Sequence, residues 1–136
     1  MPILWLRVAL ACYAVGLLYA LVALTRTSEL LGKIALHASY LGMVFHLVSL
    51  AESMRLSGQI IFTAVHNAES VLAFLIMVVF MIVYVAYKTT TPGIVVFPLV
   101  FVLTLVAAVG QQPFVQMPLG VRNGWLITHI ALIFAG

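Results

Sequence analysis

The chain has 136 residues, 65% of them hydrophobic and 7% charged, with a net charge of +3. A water-soluble domain carries about 25% charged and about 45–50% apolar residues, so this chain lacks the polar surface to cover a soluble globule and reads as a polytopic membrane protein. The few charges are dispersed, which excludes a basic block for nucleic acid and an acidic tail, and the single Cys12 excludes a disulfide framework.

Five apolar segments follow one another. The first, residues 3–24, is too long and too well followed by further spans for a cleaved signal peptide. The loop TRTSELLGK covers residues 25–33. The second segment covers 34–52, and the link SMRLSGQIIFTAVHNA covers 53–68. The third covers 69–87 and ends at Lys88 and the break TTTPG. The fourth covers 94–110, with Pro98 placed to kink it. The loop QQPFVQMPLGVRNG covers 111–124, and Trp125 opens the fifth.

The first four segments approach the ~20 residues that cross ~30 Å of hydrocarbon. Backbone amides find no water there, so each is expected to be helical. The fifth supplies about 12 residues, or roughly 18 Å of helix, and cannot span. The expected fold is therefore an all-α transmembrane bundle, with four full spanning helices and a truncated fifth, the N-terminal part of something longer. Arg26, Lys33 and Lys88 fall on one side, with Arg7, Arg55 and Arg122 on the other. Because Arg7 lies within the first span, the loop count places loops one and three in the cytoplasm and the N-terminus outside.

Four histidines in so apolar a chain carry the chemical information. An ionisable side chain at membrane depth is costly and faces a bundle interior or a site. His37 and His46 are nine residues apart, about 13.5 Å and 2.5 turns, so they point to opposite faces. His129 lies four residues past Trp125, about 6 Å below the outer boundary. His46, in the outer half of its helix, stands at similar depth, and the two form a candidate axial pair for a haem iron. The structural alternative for His46 is a hydrogen bond to Ser, Thr or a carbonyl of a neighbouring helix. His37 reads as a membrane-edge residue and His66 as a solvated loop residue. Glu69 reads as a first-turn acid favourable to the helix dipole, and the tyrosines as packing. There is no His-x-x-x-His, no Cys-x-x-Cys and no carboxylate cluster, so a zinc or di-iron site has no support. Neither a nucleophile–base pair nor a phosphate-type glycine loop is present.

The tract WLITHIALIFAG, an aromatic start followed by a histidine, an apolar run and a small residue, resembles a helix of the CcsA/ResC-type cytochrome c assembly proteins. SGQ at 57–59 and NAES at 67–70 resemble that family's outer link and helix start, with Gln59 where many relatives have histidine. VFHLVSL in the second segment is similar to the related HemX-like branch. The resemblance implies a bacterial inner-membrane protein that binds haem near the outer face. His129 would be an axial ligand, with His46 a lesser candidate as second ligand or part of a transmembrane haem path. It implies presentation of haem to apocytochrome c, whose cysteine thiols add to the vinyl groups, alongside a partner membrane assembly protein. A role in a haem lyase complex follows from the resemblance alone. The alternatives are a HemX-like protein that affects haem synthesis without attaching haem, and a non-haem bundle or transporter subunit.

Overall fold

In an apolar environment every backbone N–H and C=O must be satisfied within the chain, and helix does this locally. The computed structural model describes residues 2–26, 28–57 and 65–110, with only the backbone at 57 and 65–67. Four helices account for nearly all of them: α1 (Pro2–Thr25), α2 (Glu29–Ser57), α3 (Val65–Tyr87) and α4 (Gly93–Val109). The first three are long and apolar enough to cross a membrane. The fourth has 17 residues, about 25 Å of axis against ~30 Å of hydrocarbon. The expectation of four full spans is thus met by three, because the turn at 89–92 and Gly110 clip α4 at both ends. The expected fifth segment lies outside the described residues.

Two boundaries differ from the hydropathy reading. Helix α2 begins at Glu29 and runs to Ser57, beyond the expected 34–52 at both ends. Glu29 in its first turn and Arg55 in its last complement the helix dipole. Glu29 also pairs with Lys33 one turn on, at 3.6 Å. Helix α3 starts at Val65, so His66 belongs to a helix start rather than a loop. No Pro or Gly stands in residues 65–69 to prevent it. Hydropathy marks where lipid begins, whereas helix continues until a breaker stops it.

Such a breaker separates α3 from α4. Lys88 adopts φ 54, a left-handed conformation that usually falls to Gly at this position. Its N–H donates to the Tyr84 carbonyl at 2.8 Å, and its ammonium lies 5.8 Å from the centre of the Tyr84 ring. Within α4, Pro98 has no N–H to return to the Ile94 carbonyl.

Each helix buries one narrow seam. The buried positions are Leu6, Ala9, Tyr13 and Gly16 in α1, and Ala35, Ser39, Gly42, His46 and Ser49 in α2. They continue as Ser70, Ala73, Met77 and Phe80 in α3, and Gly93, Phe97, Val100, Thr104 and Ala107 in α4. The alternating three- and four-residue spacing is that of helices packed along a common seam. The remaining faces stay apolar and exposed, among them Leu18 at 62%, Ile82 at 62% and Val95 at 69%. These are faces for a lipid bilayer.

Helix α1 lies against both α2 and α4, α3 pairs with α4, and α2 touches α3 far less than any of these pairs touch. The α1–α2 pair is antiparallel: Tyr13 faces Gly42, Gly16 faces Ser39, and the Ser49 hydroxyl donates to the Pro2 carbonyl at 2.8 Å. A Cβ on Gly16 would collide with Ser39 Oγ and meet the Ala35 carbonyl at 3.2 Å, and one on Gly42 would meet the Tyr13 ring at 2.8 Å. These small residues let the two backbones approach. Phe80 and Phe97 meet edge to face at 5.1 Å and tie α3 to α4, with Gly93 beneath them. Between α2 and α3 a shallow apolar groove opens from Met43 past Val78 to Ala86.

Gly16→Leu is expected to destabilise the bundle by about 1–3 kcal/mol through overpacking. Gly32→Ala, whose Cβ would meet nothing within 4 Å, is expected to be neutral or stabilising by up to about 1 kcal/mol. Titration with SDS in mixed micelles, followed by circular dichroism, measures both.

Candidate functional site

The chemistry of the described interior gathers around His46. Its position on the α2 seam, one turn past Gly42, aims the ring into the bundle, and the side chain is 0% exposed. Nε2 lies 2.8 Å from Ser70 Oγ of α3, and Nδ1 lies 3.4 Å from the Tyr13 hydroxyl of α1. Tyr13 and Phe74 flank the ring edge to face, with centroids at 5.9 and 5.7 Å. One imidazole therefore joins three helices.

Both neutral tautomers satisfy this arrangement. With hydrogen on Nδ1, the ring donates to the tyrosine oxygen and accepts from Ser70. With hydrogen on Nε2, it donates to Ser70 and accepts from the Tyr13 hydroxyl. The short Ser70 bond is the stronger of the two, since 3.4 Å is long for a hydroxyl contact. An unpaired ring nitrogen in such an interior is costly, so Ser70 and Tyr13 are what make a buried histidine tolerable here.

As described, His46 offers no free ring nitrogen to an iron. Coordination there requires the bond to Ser70 or the contact with Tyr13 to be given up. The expected partner ligand His129 lies outside the described residues, as do Trp125 and Gln59. His37 donates from Nδ1 to the Lys33 carbonyl of its own helix at 2.6 Å, at an exposed position. His66 stands in the first turn of α3. Cys12 is half-buried in α1. Among the described residues, no three or more His, Cys, Asp or Glu side chains come together as a metal site.

Two further carboxylates, Glu52 near the end of α2 and Glu69 next to Ser70, lie half-buried at the same end of the bundle. Trp5 of α1 stacks on Phe45 at 5.8 Å and 9°, and it joins Glu52 and Arg55 around a wide cleft of about 550 Å³. Two hydroxyls, Ser39 Oγ on α2 and Thr104 Oγ1 on α4, are buried with no hydrogen-bond partner.

The partners of His46 were missed by a reading that took the tyrosines as packing and Ser70 as a helix start. A signal for the site exists in α2, where Ser39, Gly42, His46 and Ser49 recur at spacings of three and four residues. Polar and small residues in that register mark the packed face of a helix rather than its lipid face.

Ser70→Ala is expected to cost about 1–2 kcal/mol by stranding Nε2. Tyr13→Phe, which removes only the longer contact, is expected to cost less. Unfolding in mixed micelles checks the order of the two. In comparison with known proteins, no family model, curated protein or solved structure matches this chain.

Proposed function

We propose that this chain is a multi-pass protein of the bacterial inner membrane that handles haem for cytochrome c assembly. In this reading it holds haem near the outer face and presents it to apocytochrome c together with a partner membrane protein. The observation that carries the reading is the tract WLITHIALIFAG, in which His129 sits in an apolar run just past Trp125. A neutral imidazole at that depth suits an axial iron ligand. Bound haem would supply the vinyl groups to which the cysteine thiols of apocytochrome c add.

Within this reading His46 braces the bundle rather than binding iron. Its bond to Ser70 fastens α2 to the helix that begins with the NAES stretch. The link and the loop that lead into α3 and away from α4 then lie on the outer side, with the α1 N-terminus.

A second reading is favoured by that same bond. A histidine satisfied by Ser70 is what a non-haem bundle subunit would carry at this position. A HemX-like role shares the haem-binding expectation without attachment to a cytochrome.

Absorption spectra of the intact protein, purified from haem-replete cells, separate the readings. A Soret band that disappears in His129→Ala and persists in Ser70→Ala is expected. A colourless protein that takes up no added haemin leaves the bundle reading standing. For topology, a cysteine introduced into 111–124 in a Cys12→Ala background is expected to react with an impermeant thiol reagent from outside the cell. Protection from that reagent reverses the orientation.

A further inference from the structure

Arg7 is the one charged side chain in α1, and it does not face the bundle. It lies on the exposed stripe with Leu4, Val15 and Leu18, five residues or about 7.5 Å from the helix start. Among the described residues it forms no ion pair or hydrogen bond. A guanidinium carries five N–H donors and cannot be deprotonated. At a lipid-facing position it must reach acceptors at the headgroup level, which its long stem allows.

Arg7 also lines a groove of about 550 Å³ that runs between Leu4 and Val15 of α1 and is walled on the other side by Ala38 and Leu41 of α2. Every other residue lining it is uncharged. From Leu4 to Val15 the groove follows about 16 Å of helix axis. It is therefore a long, open apolar groove with a single cation, Arg7, and the small side chains of Ala11 and Ala38 are part of its lining.

We propose that this groove binds one anionic phospholipid from the leaflet that meets the α1 N-terminus. The phosphate pairs with the Arg7 guanidinium, and one acyl chain lies along the groove. A phosphodiester matches the planar donor fork of arginine in a way that water at the apolar boundary does not. In a zwitterionic lipid the headgroup ammonium competes for the same phosphate, so selectivity for a net negative headgroup follows. The site is independent of any haem chemistry.

Trp5 faces the other cleft, with Glu52 and Arg55, so the reporter is placed at Leu4, which lines the groove one turn before Arg7. The full chain carrying Leu4→Trp with Trp5→Phe and Trp125→Phe has its single tryptophan in the groove. It is reconstituted in phosphatidylcholine vesicles with a minor fraction of dibrominated phosphatidylglycerol, or the same fraction of dibrominated phosphatidylcholine. Quenching of that tryptophan by the brominated anionic lipid is expected to exceed that lipid's share of the bilayer, while the zwitterionic lipid quenches in proportion. Arg7→Gln is expected to abolish the excess and Arg7→Lys to retain part of it. Ala38→Phe, which fills the groove and keeps the arginine, is also expected to abolish it, so the proposal stays testable if one variant fails to fold. Equal quenching by the two lipids, or an excess that survives Arg7→Gln, overturns the proposal. Relief of the excess by soluble glycerol phosphate overturns the acyl groove and leaves a bare phosphate contact.

Discussion

A polar ring enclosed by apolar helices is tolerated only when its nitrogens are engaged, and the relation of α2 to α3 depends on that requirement. The two helices touch far less than α1 and α2, α3 and α4, or α1 and α4 do, yet His46 and Ser70 fix them to one another at 2.8 Å. Hydrophobic burial cannot set this register, because lipid tails solvate Leu and Val as well as a neighbouring helix does. Directional bonds and close backbone approach must do so instead.

The α1–α2 pair uses the second of those devices. Gly16 against Ser39 and Gly42 against Tyr13 bring the helices together along a seam of small residues. Tyr13 serves both arrangements, because its ring packs over Gly42 while its hydroxyl reaches His46. Close packing of α1 on α2 thus sets the position of one of the histidine's two partners. On the other side of the bundle, where α3 meets α4, aromatic edge-to-face contact between Phe80 and Phe97 takes over.

Much of the architecture was legible from hydropathy, because the bilayer demands long apolar stretches and allows them only one backbone conformation. The segments at 3–24 and 69–87 lie within α1 and α3 for that reason. Helix ends were less legible, since Glu52 to Ser57 is polar and still helical, and polarity does not stop a helix as Pro or Gly does. The chemistry of His46 was half legible. A bond to a neighbouring helix was one of the two readings open for it, but Ser70 and Tyr13 had been given other tasks. Hydropathy averages over all faces of a helix, while a partner is specified by one face, and only the register of Ser39, Gly42, His46 and Ser49 carries that information.

The apolar groove past Met43 makes the α2–α3 contact unequal along its length. Near the α1 N-terminus the seam is held by bonded and stacked rings, those of His46, Tyr13, Trp5 and Phe45. Toward the Lys88 turn an apolar gap separates α2 from α3. The bond that sets the relation of α2 to α3 thus acts at one end of their shared length, and at the other end an apolar gap stands where a second fastening would be.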